Sequence, residues 1–271
     1  MELDERCVTD KRTRYECLLF DLDDTLYPLS SGLAAACAKN IRDYAVHRLG
    51  VDEKKVAELC GELYKNYGTT MAGLRAVGYD FDYDDYHSFV HGRLPYENLK
   101  PDPVLRSLLL SMTQRKVIFT NGDKVHAAKV LSRLGLEDCF EGVICFETLN
   151  SHPEAAENGN TWDTPISVIP KTPILCKPSK EAVKRALLLA NADPKRTIFF
   201  DDSPRNIAAG KHAGLHTVLV GTPIRTEGAD FALESIHNIK EALPEIWEEN
   251  ESSGNVECSG RAVAIETVVN A

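Results

Sequence analysis

Four short segments of the 271-residue chain gather carboxylates, hydroxyls and a lysine: Asp21-Leu22-Asp23-Asp24-Thr25, Thr120-Asn121-Gly122, Lys177-Pro178-Ser179 and Asp201-Asp202-Ser203. Bringing four carboxylates into one crevice is costly, because unit charges 4 Å apart repel by about 4 kcal/mol at an effective dielectric near 20. Something cationic must offset that repulsion. A hard divalent ion held by oxygens and water suits an Asp-rich site without His or Cys, and Mg²⁺ is the usual occupant. The ion accounts for the acids and leaves Lys177 and Thr120 unexplained. A phosphoryl group explains both. The ion and the ammonium neutralise its equatorial oxygens, and the Thr120 hydroxyl and the amides around Asn121 and Gly122 donate to them. One carboxylate can then attack phosphorus and form an aspartyl phosphate. A second acid two residues on protonates the leaving oxygen and later activates water. Asp21 and Asp23 meet that order.

Such segments need a frame that carries them to one place. Each of the first, second and fourth follows or ends an apolar run: Cys17–Phe20, Lys116–Thr120 and Thr197–Phe200, with further runs at Gly142–Phe146 and His216–Val220. Continuous apolar runs of this length read as buried strands. Helical patterns lie between them. Val125, Ala128, Leu131 and Leu134 share a face that Gly135 terminates, and Ser179 caps a run through Val183, Ala186, Leu187 and Ala190. Ser203 and Pro204 form an N-cap and first-turn pair, with Gly214 ending that helix. Alternation of this kind predicts an α/β fold with a Rossmann-like parallel sheet, whose ligands bind beyond the carboxyl ends of the strands.

The stretch from Ser31 to Leu99 breaks the alternation. Ile41, Tyr44, Ala45 and Leu49 share one face, and Val56, Leu59, Leu63 and Tyr67 another, with no apolar strand between. This is far longer than a strand-to-helix connection needs, so it reads as an inserted helical module spanning 31–99. The core then comprises 15–30 and 100–248; residues 1–14 and the tail 249–271 are expected to be disordered, apart from a possible edge strand in RAVAIETVV. Residues 151–172, rich in proline and Asn-Gly, are expected to form a mobile loop. The run EALPEIWEENE reads as a solvated helix end.

A formal net charge of −10 argues against binding nucleic-acid polymers or anionic membranes, both of which reward a cationic surface. No span of about 18 uncharged apolar residues occurs, the start lacks an apolar signal region, and Met-Glu excludes N-myristoylation, so a cytoplasmic protein is expected. The eight cysteines form no C-x-x-C pair and read as small buried hydrophobes rather than zinc ligands. Histidines 47, 87, 126, 152, 212, 216 and 237 show no ligand spacing and are expected to be structural or exposed. Oligomeric state is not legible.

The four motifs, DLDDT at 21–25, FTN at 119–121, CKPS at 176–179 and FFDDS at 199–203, closely resemble the haloacid dehalogenase-like superfamily in type and order. The resemblance covers about 17–222. It implies Asp21 as nucleophile, Asp23 as acid/base, Thr120 as phosphate ligand and Lys177 as charge clamp. It also implies Mg²⁺ held by the Asp21 carboxylate, the Asp23 carbonyl and the acidic pair, with Asp202 the direct ligand and Asp201 its neighbour. An insertion between the first two motifs looks like a C1-type cap, which closes over the substrate and supplies specificity. YGTTMAGL at 67–74, HGRLPY at 91–96 and DLDDTLYPLSSGL resemble the pyrimidine 5′-nucleotidase branch and its plant relatives, some of which favour xanthosine monophosphate. Tyr67, Thr69, Thr70, His91 and Arg93 are the candidates for nucleoside contact, although a core or hinge role competes for each. The expected activity is therefore hydrolysis of small phosphomonoesters, foremost nucleoside 5′-monophosphates. A phosphomutase, a sugar or pyridoxal phosphate phosphatase, and a catalytically silent binding protein are the alternatives. Dehalogenation does not need the second acid.

Overall fold

The computed structural model describes residues 14–151 and 172–248. Residues 1–13, most of the loop expected at 151–172, and the tail from 249 with its RAVAIETVV stretch lie outside them.

Six strands form one parallel sheet: β1 (Cys17–Phe20), β2 (Arg115–Phe119), β3 (Gly142–Ile144), β4 (Thr197–Asp201), β5 (His216–Val220) and β6 (Phe231–Leu233). Their order is β3-β2-β1-β4-β5-β6. Every residue of β1 and β4 is buried, as strands covered on both faces require. Alternate side chains feed two cores. Leu18, Phe20, Ile118, Ile198, Phe200 and Val218 pack on one face, and Cys17, Leu19, Val117, Phe119, Phe199 and Leu219 on the other. The Phe20 and Phe200 rings stack with centroids 4.6 Å apart.

Helices α5 (Pro103–Leu110) and α6 (Lys124–Leu134) cover the first face; α8 (Lys180–Leu189) and α9 (Pro204–His212) cover the second, and the short α7 (Phe146–Asn150) follows β3. In α8 the expected face is the buried one, and the Ser179 hydroxyl accepts from the Ala182 amide. In α6 it is not. Ala127, Val130, Leu131 and Leu134 are buried, while Val125 is 61% exposed and Ala128 also faces solvent. The GVICF run is shorter as a strand than its apolarity suggests, because Cys145 already caps α7. Ser203 stands at the N-cap of α9 without a side-chain cap bond; the Asp201 carboxylate accepts from its amide instead. Of the stretch read as a solvated helix end, the described residues 241–248 are only partly solvated. The chain here forms α10 (Ile239–Ala242) and a 3-10 turn at Pro244–Ile246, with Leu243 and Ile246 buried. Gln114 Nε2 donates to the Ile246 carbonyl at 2.6 Å.

Between β1 and β2 the chain runs through α1 (Leu33–His47), α2 (Val56–Tyr67), α3 (Thr70–Ala76) and α4 (Tyr83–Val90). These helices build their own aromatic cluster, in which Tyr44 meets Tyr86 and Phe89 edge to face at 5.0 and 5.3 Å. Several contacts among the described residues tie them to the sheet side. Gly68, at φ +90°, lets the α2–α3 turn seat against the Lys177 carbonyl and Pro178. Arg205 on α9 donates to the carbonyls of Tyr64 and Lys65 at 3.2 and 3.0 Å. His91, just past α4, pairs with Asp123, the N-cap of α6. The cysteines described in these regions, Cys17, Cys37, Cys60, Cys139, Cys145 and Cys176, are all free thiols, and no described helix is long and apolar enough to cross a membrane.

Candidate active site

Register assembles the site. Phe20 pairs with Phe200, so Asp21 and Asp201 emerge side by side, and the Asp21 amide continues the ladder to the Phe200 carbonyl at 2.8 Å. Chain order reverses across β1, with β2 and β3 on one side and β4 on the other. That switch point is where an open parallel sheet leaves a crevice. Lys177 reaches it from the loop before α8.

Only 1% of Lys177 is exposed. Its ammonium donates to Asp21 Oδ1 at 2.7 Å, Asp201 Oδ2 at 2.8 Å and the Phe119 carbonyl at 2.8 Å. Three protons meet three acceptors. Burial alone would lower this ammonium's pKa, but the charges of Asp201 and Asp21 raise it above its ordinary value. The Asn121 side chain is committed to the same loop: its Oδ1 accepts from the Lys177 amide at 2.8 Å and its Nδ2 donates to the Lys177 carbonyl at 3.1 Å. The Asn121 side chain thus braces the Lys177 backbone from both of its polar atoms. The Gly122 amide is likewise taken by the Thr120 hydroxyl at 2.9 Å. Thr120 is buried between β2 and this turn.

Carboxylate oxygens of Asp21, Asp201 and Asp202 lie within 4.8 Å of one another. Asp201 accepts from Lys177, the Ser203 amide and the Asn206 side chain, so both its oxygens are occupied. Among the described residues no side chain bonds Asp21 Oδ2, and Asp202 is half-buried. Burial, then the Asp201 charge, pushes Asp202 up to about 7; burial and the neighbouring acids push Asp21 well above the usual range in spite of Lys177. An all-oxygen donor set under that mutual repulsion fits a hard divalent cation held by Asp21 and Asp202.

Asp23 behaves differently. Burial would raise it, but the facing His126 and the Tyr27 hydroxyl bring it down to about 2. It opens on a cavity of about 460 Å³ walled by α1 and α2, where Thr70, His91, Arg42 and Tyr64 also reach. The other cap candidates are elsewhere. Tyr67 packs into the aromatic cluster, and the Thr69 hydroxyl caps α3 by accepting from the Ala72 amide at 3.1 Å. Arg93 is exposed, with its guanidinium 3.6 Å over the Phe89 ring. The sequence offers no sign of Asn206, Tyr27 or Arg42, and His126, expected to be structural or exposed, is buried and faces Asp23. His126 had a signal: it sits on the first turn of the helix that follows FTNGD, where a parallel sheet aims side chains at the crevice.

The sequence model of the haloacid dehalogenase-like hydrolases matches residues 15–214. Phosphate metabolism protein 8 of Saccharomyces cerevisiae is 26% identical over 227 residues, 80% of this chain and 65% of that protein, so this chain spans a little under two thirds of that relative's length. Glyceraldehyde 3-phosphate phosphatase of Pyrococcus furiosus is 26% identical over 271 residues, covering 91% of this chain and 99% of that one. Two solved structures share the fold. CbbY from Rhodobacter sphaeroides, in complex with phosphate, aligns with a TM-score of 0.54 at 18% identity over 86% of this chain and 99% of its own. The HAD-hydrolase YfnB from Bacillus subtilis, bound to magnesium, aligns at 0.51 and 19% over 84% and 98%. With most of its length matched and its motifs converging at the switch point of the sheet, the chain belongs to the haloacid dehalogenase-like hydrolases.

Proposed function

We propose that this hydrolase is a Mg²⁺-dependent phosphatase of small phosphomonoesters, foremost nucleoside 5′-monophosphates. The observation that carries the reading is Lys177, buried between Asp21 and Asp201 beneath a cluster of carboxylates, with Asp23 two residues on at the mouth of a cavity. Mg²⁺ held by Asp21, Asp202 and the Asp23 carbonyl would supply positive charge opposite the phosphoryl oxygens. The protein's own groups do the rest. Lys177 holds the Asp21 carboxylate in place through Oδ1, leaving Oδ2 to attack phosphorus. Thr120 orders the turn that faces the phosphoryl group. Asp23 gives a proton to the leaving oxygen, and later takes one from the water that hydrolyses the aspartyl phosphate. Helices α1–α4 act as the cap that encloses the ester.

The cavity supports a substrate larger than a triose. Its volume, about 460 Å³, lies within the range that accommodates a whole small ligand, roughly 300–1,000 Å³. Leu33, Ile41, Leu94 and Tyr64 give it apolar walls suited to a flat base, and the Arg42 guanidinium gives it a polar anchor. Glyceraldehyde 3-phosphate, named for the Pyrococcus relative, would leave most of that space unfilled. Of the cap residues with a predicted substrate role, Thr70 and His91 line this cavity.

Phosphate release across XMP, UMP, CMP, AMP, glyceraldehyde 3-phosphate, sugar phosphates and pyridoxal phosphate tests the reading. A nucleoside monophosphate should lead by about tenfold or more in kcat/KM, a gap typical of one well-filled pocket, and chelator should silence turnover. A preference for trioses or sugars would overturn the substrate assignment. Silence toward every monoester in Mg²⁺ would favour the binding protein.

A further inference from the structure

The two oxygens of the Asp23 carboxylate have different surroundings. Oδ1 accepts from the Tyr27 hydroxyl and lies 2.7 Å from His126 Nε2. Among the described residues no hydrogen bond reaches Oδ2. That oxygen borders the turn after β2: a methyl group placed on Gly122 would stand 3.8 Å from Asp23 Oδ2 and 3.4 Å from the Thr120 hydroxyl.

His126 itself is fixed on every side. It is 2% exposed, its Nδ1 lies 2.8 Å from the Tyr96 hydroxyl, and the His91 ring stacks on it at 4.5 Å. Asp123 anchors this arrangement twice. Its Oδ1 accepts from the amides of Val125 and His126, capping α6, and its Oδ2 pairs with His91 Nδ1. With Nδ1 engaged by Tyr96 and the ring buried, Nε2 is aimed at Asp23 Oδ1 and the imidazole cannot turn away from it.

We propose that His126, with Tyr27, is a positioning residue for Asp23. The proposal rests on the acid/base role given to Asp23 above. Two donors, Tyr27 O–H and His126 Nε2–H, both point at Oδ1, so that oxygen is closed to a proton. The proton of the acid form therefore sits on Oδ2, facing the phosphoryl group. In the first step Asp21 oxygen bonds to phosphorus, the ester P–O bond breaks, and the Oδ2 proton passes to the leaving oxygen. In the second, water oxygen bonds to phosphorus, the Asp21–phosphorus bond breaks, and a water proton returns to Oδ2. Holding one oxygen makes both transfers use the same atom in the same place.

A series of substituted phenyl phosphates tests this, because the members share one shape and differ in how much their leaving oxygen needs a proton. p-Nitrophenolate leaves without help, whereas phenolate benefits from it. The readout is kcat/KM, which reports the first step, plotted against leaving-group pKa. Asp23→Asn serves as the reference for complete loss of the acid and should steepen the slope. His126→Leu should steepen it in the same sense, losing on the order of 10²-fold on phenyl phosphate and less than about threefold on p-nitrophenyl phosphate, as expected for a displaced acid. His126→Gln, which keeps a donor near Nε2, should recover much of the loss. Tyr27→Phe removes the second donor and should act in the same direction, and it carries the test if His126→Leu does not fold. If Asp23→Asn steepens the slope while His126→Leu and Tyr27→Phe lower every ester equally or not at all, the positioning role is wrong and the acid/base role stands. If Asp23→Asn leaves the slope unchanged, the acid/base role fails and this proposal fails with it.

Discussion

Lys177 is the residue on which the chemistry of the crevice depends, because its ammonium is what keeps two buried carboxylates close together. Asp21 bears the cost of that closeness: burial and the charges of Asp201 and Asp202 favour its neutral form. Asp21→Asn keeps an Oδ1 acceptor for Lys177 and removes a buried charge. Turnover should therefore vanish, with less than about 10⁻³ of the wild-type rate remaining, as for loss of a covalent nucleophile. The melting temperature in chelator should hold or rise. Phosphate release and a thermal melt on the same sample check both halves. Substantial turnover would remove Asp21 from the nucleophile's role, and a large fall in melting temperature would show that the carboxylate supports the fold.

At the level of elements, the site depends on how the α2–α3 turn sits on the Lys177 loop. Gly68 makes that approach possible. A Cβ there would lie 2.7 Å from the Lys177 carbonyl oxygen and 2.8 Å from Pro178 Cδ, at a φ of +90° that side chains avoid. Gly68→Ala should cost about 1–3 kcal/mol from backbone strain alone, and more from the clash. It should also raise KM, because the turn moves away from the loop that carries Lys177. Urea unfolding and steady-state kinetics measure the two effects. Unchanged stability and KM together would mean that the inserted helices do not rest on this loop in solution. Arg205 makes the neighbouring contact with the end of α2 and lies 4.4 Å over the ring of Tyr64, which itself lines the cavity.

For the molecule as a whole, a net charge of −10 means that the acids of the crevice sit in a negative field with Lys177 as their buried counter-charge. This has a consequence for pH. Asp202 is pushed up to about 7, whereas an unfolded aspartate titrates near 4. Between those values the folded chain holds the proton more tightly than the unfolded chain does. Its contribution to stability is therefore present at low pH and is lost as pH rises through about 7. Asp21 acts in the same sense. In chelator the melting temperature should fall from pH 5 to pH 8, and Asp202→Asn should flatten that fall. Added Mg²⁺ should restore the midpoint most at the alkaline end, by neutralising the acids as they ionise. A melting temperature in chelator that rises over this interval, in wild type and variant alike, would contradict the electrostatic picture of the site.

Five of the six strands, and the three polar segments that end or follow strands, are legible in the sequence alone, because buried parallel strands are continuous apolar runs and their ends are where charge can be tolerated. CLLF before Asp21 and TIFF before Asp201 were legible for that reason. Short or tertiary-supported pieces were not legible. The three residues of β6 are too few to show a period, and Leu243 and Ile246 are buried only because Gln114 and the sheet edge receive them. In α6, Val125 and Ala128 fit a helical face in sequence, yet packing selected the face one residue over, which also turned His126 inward. The partners of side chains are long-range facts. That Asn121 holds the Lys177 backbone, that Thr69 caps α3 while Thr70 lines the cavity, and that His126 faces Asp23 all depend on which elements meet. Local patterning sets which residues can do chemistry, and only the packing of distant segments decides which atom of each is free to do it.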